Sequence, residues 1–375
     1  MKTTELLQSF RKCGISLFTG VPDSLQKDFC TLVASETTGI RHVAAPNEGI
    51  AVGLAIGHHL ATGSTSLVYM QNSGLGNALN PLTSLAHSDV YRIPMVLMIG
   101  WRGQPGITDE PQHKTQGAVT VEVLDLLEIP YLTVDRDTPL TDVENFISDP
   151  TVSSSGPIAL LVTSNTFEPS REAVISNNDS LMSRELVLMR IVENTNEQCI
   201  VVSTTGKMSR ELNEIRVKRN EQSLDFLTVG GMGHASSIAL GLALERHDYT
   251  VICLDGDGAA LMHLGALALI AEQKPKNFVH VLFNNGVHES VGSQPIAAKL
   301  NGFSTVAEAL NYCSIFSIRS EPELNKFLSD LHLVPKPCFV EIFINTYSRN
   351  DLTRPSLTPC ENKIELMDRL SKAGI

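Results

Sequence analysis

Two polar clusters stand where apolar runs stop. Val251–Leu254 gives way to Asp255-Gly256-Asp257-Gly258, and Phe278–Phe283 gives way to Asn284-Asn285-Gly286. Between them a pattern of small and apolar residues runs from Ala259 to about Glu272 with helical spacing. Strand, helix and strand make one βαβ unit of a parallel sheet. Both clusters then share one edge, the edge at which open α/β sheets bind ligands. Asp257 offers a carboxylate, Asn285 an amide oxygen, and the backbone carbonyl of Val287 completes one side. A few oxygen ligands with positions left for phosphate oxygens and water suit Mg²⁺. Gly256 and Gly258 let the backbone turn sharply and approach an anion. The helix starting near Ala259 turns its positive end to the same place. The expectation is a metal-bridged diphosphate. Gly-Asp-Gly alone is an ordinary tight turn; the second cluster, at the end of the next strand, gives it chemical meaning.

These groups need a scaffold, and the chain is long enough to supply one. Its 375 residues suggest two domains, each with a full core. Short strands alternate with helices from residue 1 to about 165: strands at 15–18, 41–45, 66–71 and 94–99 end in Gly20–Ser24, Pro46–Gly49, Asn72–Asn77 and Gly100–Gly103. A Pro- and Gly-rich loop follows at 104–116. Residues 166–183 are polar and read as a linker. Alternation resumes from 184 to 375, with a helix at 184–196 and strands at 199–203 and 226–229. The βαβ unit above follows, then strands near 314–318 and 338–345 and a last helix at 362–373. The fold class is α/β: two doubly wound parallel-sheet domains, with no convincing sequence repeat between them.

Composition narrows the partners. A formal net charge of −12, from 29 basic and 41 acidic residues, argues against a nucleic-acid partner. No apolar run approaches the length of a membrane span. The N-terminus has the pattern of an amphipathic helix and lacks a signal-peptide core. The 7 cysteines have no zinc spacing and read as reduced thiols of a cytoplasmic protein.

Other residues at predicted strand ends carry potential chemistry. Glu48 stands at the mouth of a small-residue helix, where a carboxylate is at least a good helix-terminal charge. Thr204 and Thr205 bring hydroxyls and backbone N–H groups suited to phosphate oxygens. Arg102, Lys207 and His288 are candidate cations for an anionic substrate, Arg102 first because its fork matches phosphate-type oxygens. His113 is a candidate proton donor, or a loop histidine with no role. Asp23 and Ser24 are either substrate contacts or a helix-capping pair. Gly230-Gly231-Met232-Gly233 follows a strand and opens a helix like a dinucleotide fingerprint, yet the third glycine position is Ser236.

The Gly-Asp-Gly and Asn-Asn pair resembles the cofactor motif of the thiamine diphosphate-dependent enzymes. Further stretches are similar to the phosphonopyruvate decarboxylases among them: GVPDS at 20–24, PNEG at 46–49, YMQNSGLGNALNPLTSL at 69–85 and GWRGQPGITDEPQH at 100–113. STTGKMSREL at 203–212, GGMGHASSIALGLA at 230–243 and NNGVHESVGSQP at 284–295 agree. The resemblance implies an aminopyrimidine-binding domain at 1–165 and a diphosphate-binding domain at 184–375, with no third domain. It implies that Asp257, Asn285 and Val287 hold Mg²⁺, and that Thr204, Thr205, Gly256, Gly258 and Ala259 surround the diphosphate. The Gly230 carbonyl would accept from the 4′-amino group, and Met232 would wedge between the cofactor's rings. Glu48 would face the pyrimidine nitrogen and so make the exocyclic amine a base. The implied reaction is decarboxylation of 3-phosphonopyruvate to phosphonoacetaldehyde and CO₂ in phosphonate biosynthesis. Sulfopyruvate decarboxylation and a carboligase on another 2-oxo acid are the alternatives. The resemblance also implies a homodimer or higher homo-oligomer, with sites at the subunit interface.

Overall fold

A computed structural model describes residues 1–35, 38–153, 156–169, 180–298, 302–349 and 351–372. The chain forms two compact units: Met1–Val174 with His288–Ala297, and Ile175–Val287 with Ala298–Ile375.

The first unit is built on a parallel sheet of six strands. They are β1 (Ile15–Gly20), β2 (Arg41–Ala44), β3 (Thr65–Gln71), β4 (Met95–Gly100), β5 (Tyr131–Val134) and β6 (Pro157–Val162), in the order β2-β1-β3-β4-β6-β5. β4 and β6 are buried at every position, and so is β3 apart from its end residues. Their sequences are therefore nearly continuous apolar runs rather than alternating ones. One face of the sheet packs on a cluster containing Phe10, Phe18, Phe29 and Phe167. The other carries Ala51, Val52 and Ala55 of the helix Glu48–Thr62 against Val68 and Met70. Small residues on that helix let it approach β3 closely, which brings its first residue, Glu48, to the edge of the sheet.

The second unit has β7 (Cys199–Ser203), β8 (Leu224–Leu227), β9 (Thr250–Gly256) and β10 (Phe278–Asn284). After the short pair β11 (Val287–His288) and β12 (Gln294–Pro295) come β13 (Ser314–Ile318) and β14 (Cys338–Phe343). Its sheet order is β13-β14-β10-β9-β7-β8, again with parallel pairs. Read from the other side, first strand to last, this is the winding of the first unit. In each, the first strand lies between the second and the third, and the order reverses there. That reversal is the crevice where doubly wound sheets bind ligands. Two doubly wound α/β sheets are what the alternation of strands and helices predicts.

Several expected boundaries move. The helix expected at 259–272 is two, Asp257–Met262 and Gly265–Gln273. The strand expected at 226–229 is β8, 224–227, because Thr228 already donates its hydroxyl back to the Ser203 carbonyl at 2.7 Å. The loop expected at 104–116 becomes helix at Pro111, where a proline fits the first turn. Residues 288–297, expected with the second domain, belong to the first unit. There Gln294 donates to the Lys27 carbonyl at 3.2 Å and lies 3.1 Å from the Thr31 hydroxyl. Of the stretch read as a linker, 170–179 lies outside the described residues.

Phe29 is fully buried, edge-on to Phe10 at 5.7 Å and stacked with Phe167 at 6.2 Å. Phe29→Ala is expected to destabilise the first unit by about 3–5 kcal/mol, read as an earlier urea transition by circular dichroism. A loss under about 1 kcal/mol would show that this cluster does not hold the unit together.

Candidate active site

The site residues of the second unit lie at the carboxyl ends of β7, β9 and β10. β9 and β10 pair with Gly256 opposite Phe283, so Asp257 and Asn285 follow adjacent strands off the same edge. Asp257 is buried and clasped by backbone. Its Oδ1 accepts from Gly258 N at 2.7 Å, and its Oδ2 from Gly286 N at 2.7 Å and Asn285 N at 3.1 Å. Burial nevertheless outweighs these three donors and raises its pKa to about 6. Asn285 Oδ1 accepts from Val287 N at 3.0 Å, which folds the Asn-Gly-Val turn back on the carboxylate. At the end of β7, Thr204 N donates to the Leu254 carbonyl at 2.8 Å, and the Ser209 hydroxyl lies 2.7 Å from the Thr204 carbonyl. Thr204 is buried and Thr205 half-buried beside it. Lys207 donates to the Ser348 hydroxyl, so this expected substrate cation already has a partner within its own unit. The turn carrying Gly230 and half-buried Met232 is closed by His234, whose Nδ1 lies 3.0 Å from the Gly231 carbonyl. Ser236, where a dinucleotide fingerprint has its third glycine, is buried in the helix Ala235–Glu245.

The first unit assembles a different set on the equivalent edge. Glu48 is the first residue of its helix, behind Asn47, whose side chain caps the helix by accepting from Gly49 N at 2.8 Å. Glu48 Oε2 accepts from Asn77 Nδ2 at 2.8 Å. Burial raises the Glu48 pKa, and the Asn77 bond offsets only part of that. Gly74 makes the fit possible: a Cβ there would sit 2.5 Å from Glu48 Oε1. Asp23, at the end of β1, is also buried with a raised pKa. It accepts from Gln71 Nε2, at the end of β3, at 2.8 Å and from Leu25 N at 3.0 Å. The Asp23–Gln71 bond thus spans the crevice where the strand order reverses. Ser24 accepts from Arg102 Nη1 at 2.7 Å.

Arg102 is not a bare cation. Asp109 takes its Nε at 2.8 Å and its Nη2 as well, and His113 Nδ1 lies 3.0 Å from the same carboxylate. His288 is half-buried, and burial lowers its pKa to about 4, so at neutral pH it is an uncharged imidazole rather than the cation expected for substrate. Asn77, Gln71 and Asp109 were passed over in the sequence. Asn77 and Gln71 lie in the quoted 69–85 stretch and Asp109 in the 100–113 stretch, but only the packing shows which partners they serve.

Comparison with known proteins supplies the family. Residues 2–124 match the thiamine pyrophosphate enzyme N-terminal TPP-binding domain, and residues 204–342 match the C-terminal TPP-binding domain. A phosphonopyruvate decarboxylase of Streptomyces viridochromogenes is 32% identical over 95% of this chain and 92% of its own. The chain belongs to the thiamine diphosphate enzymes of the phosphonopyruvate decarboxylase family. One from Streptomyces hygroscopicus is likewise 32% identical, over 96% and 92%. A sulfopyruvate decarboxylase of Methanosarcina acetivorans is 29% identical over 89% and 91%. Thiamine diphosphate is therefore the cofactor of this chain, and the chain is a decarboxylase by family. Among the described residues no helix is long and apolar enough to cross a membrane.

The residues present fit that cofactor. Glu48 is a buried carboxyl with its proton affinity raised and acceptor capacity beyond the Asn77 bond, as a partner for a ring nitrogen requires. Asp257 and Asn285 present hard oxygens beside a turn of small residues, the donor chemistry a divalent ion with phosphate ligands takes. A metal ion and a proton would compete for Asp257. With its folded pKa raised, the carboxylate holds its proton below about pH 6 and releases it above. Apparent Mg²⁺ affinity, measured by calorimetry with the cofactor present, is therefore expected to rise as pH increases through about 6 and then level off. The metal-free protein has the opposite trend: this group's contribution to stability is complete below about pH 3.8 and is lost as pH rises through about 6. A flat Mg²⁺ affinity between pH 5 and 8 would remove Asp257 from the metal site.

Proposed function

We propose that this enzyme decarboxylates 3-phosphonopyruvate to phosphonoacetaldehyde and CO₂ with thiamine diphosphate and Mg²⁺. The observation that carries the reading is that relatives named for this reaction match along nearly the whole chain, both units included. Asp257, Asn285 and the Val287 carbonyl are assigned to the metal. Thr204, Thr205, Gly256, Gly258 and Ala259 are assigned to the diphosphate, and Gly230 and Met232 to the middle of the cofactor. The bound cofactor supplies an acidic carbon and an electron sink for loss of CO₂. Glu48 holds a proton against the pyrimidine nitrogen, a task its burial favours. His113, held through Nδ1 by Asp109, takes up a proton at Nε2 and delivers it to the carbon that loses CO₂. Arg102, with Ser24 beside it, receives an oxyanion of the substrate. Asp23 and Gln71 close the neighbouring edge. Lys207 and neutral His288 are further substrate contacts, as hydrogen-bond donors. With half of the assigned chemistry in each unit, a homodimer is the assembly we favour. The exposed apolar residues Ile50, Leu54, Leu79 and Leu85 of the first unit support an apolar interface.

A second reading keeps every residue role and changes the acid to sulfopyruvate, because a sulfopyruvate decarboxylase also matches most of the chain. CO₂ release with Mg²⁺ and thiamine diphosphate, compared for phosphonopyruvate, sulfopyruvate and pyruvate, decides between them. The expected kcat/KM is highest for phosphonopyruvate; a sulfopyruvate preference would replace the substrate and leave the cofactor roles standing. Glu48→Gln is expected to lower turnover by at least about 100-fold while cofactor binding, read by fluorescence quenching, changes little. Retained turnover would remove Glu48 from catalysis.

A further inference from the structure

The loop that carries Arg102 is organised around one carboxylate. Asp109 Oδ1 accepts from Arg102 Nη2, from Glu110 N at 2.7 Å and from His113 Nδ1 at 3.0 Å. Asp109 Oδ2 accepts from Arg102 Nε at 2.8 Å and from Gly103 N at 2.8 Å. These donors hold its proton affinity well below the usual carboxylate range, Arg102 first. Asp109 is thus an anion with both oxygens fully used, and its partners are the two groups that sequence and family chemistry put forward for the substrate. The backbone is shaped for this contact. Gly103 has φ +68°, and a Cβ there would sit 2.0 Å from the His113 carbonyl, so the loop lies directly on the start of the helix Pro111–Leu126.

Two consequences follow for the side chains Asp109 holds. Arg102 spends Nε and one Nη2 hydrogen on Asp109 and one Nη1 hydrogen on Ser24. A guanidinium carries five N–H donors, so donors on Nη1 and Nη2 stay available while the plane itself is locked. His113 meets a carboxylate that only accepts, so Nδ1 must carry the hydrogen and Nε2 is left to face outward chemistry.

We propose that Asp109 is a positioning residue that sets Arg102 and His113 together, locking the guanidinium for an anionic substrate and fixing the His113 imidazole as the Nδ1–H tautomer. Its role in turnover rests on the function proposed above; its control of the tautomer does not. An anion-binding arginine that must first be ordered loses affinity to that ordering, and one held by a bidentate carboxylate does not.

The test uses the full-length protein and Asp109→Asn. An asparagine at 109 keeps the shape but can donate an N–H to His113 Nδ1, which reverses the polarity of that bond. In ¹⁵N-histidine spectra at alkaline pH, with His113 assigned by its loss in His113→Gln, the wild type is expected to show the Nδ1–H form and Asp109→Asn the Nε2–H form. An Nε2–H form in the wild type, or the same tautomer in both proteins, would overturn the proposal, whatever the substrate proves to be. In turnover, Asp109→Asn is expected to raise KM for the oxo acid and lower kcat, with kcat/KM down roughly 100-fold. In an Arg102→Gln/His113→Gln background the same change is expected to cost less than about 3-fold, because the residues it acts through are gone. An equal loss in both backgrounds would make Asp109 a purely structural residue. A wild type inactive on all three oxo acids would defeat the function reading and leave the tautomer measurement to decide this one.

Discussion

Parallel pairing is the constraint from which the rest of the molecule follows. Strands that run the same way must finish on the same side, and each return must be made by a helix on a face of the sheet. Apolar strands such as β4 and β6 are thereby buried on both sides and can carry no chemistry of their own. Some polar residues are buried within strands, such as His280 in β10 and Glu341 in β14, but the candidate site residues cluster in the turns just beyond the strand ends. Because the order reverses between the first and third strand of each sheet, those turns part and leave a crevice rather than a closed rim. Asp23 with Gln71 in one unit, and the end of β7 beside Asp257 in the other, are the residues this geometry gathers.

Within that edge, carboxylates of one chemical type are driven to different ends by their partners. Glu48 and Asp23 are buried with amide donors that carry no full charge, and both are held toward the protonated form. Asp257 has three backbone N–H donors and still lies near neutrality in its proton affinity, which suits a group that exchanges a proton for a metal ion. Asp109, less buried and facing a guanidinium, is held as an anion. Burial holds the first three toward the protonated form, and a guanidinium partner at lesser depth makes Asp109 a fixed counter-ion.

Much of this was legible in the residues because the strand ends are marked by changes of type. Val251–Leu254 running into Asp255 and Gly256, and Phe278–Phe283 into Asn284, announce both the strands and the edge. What stayed hidden depends on contact across distant segments. Nothing in the stretch 69–85 says that Asn77 meets Glu48, or that Gly74 must lack a side chain for Glu48 to fit. Arg102 reads as a free cation until Asp109 is seen beside it, seven positions along a loop whose path is set by Gly103. Residues 288–297 read as part of the second domain because sequence order is the only guide, whereas Gln294 finds its partners on the helix Lys27–Ala34. His288 looks like a cation by type and becomes neutral through burial, which composition does not show.

The shared winding of the two sheets has a historical consequence. No residue pattern repeats between the halves, yet the strand order does. Changing an edge residue takes a single codon, while changing a strand order requires the chain to be rethreaded through its own core. Two copies of one ancestral segment would therefore drift apart in side chains long before they differed in path. On this view the side chains at the two edges diverged, and the common path is the older record.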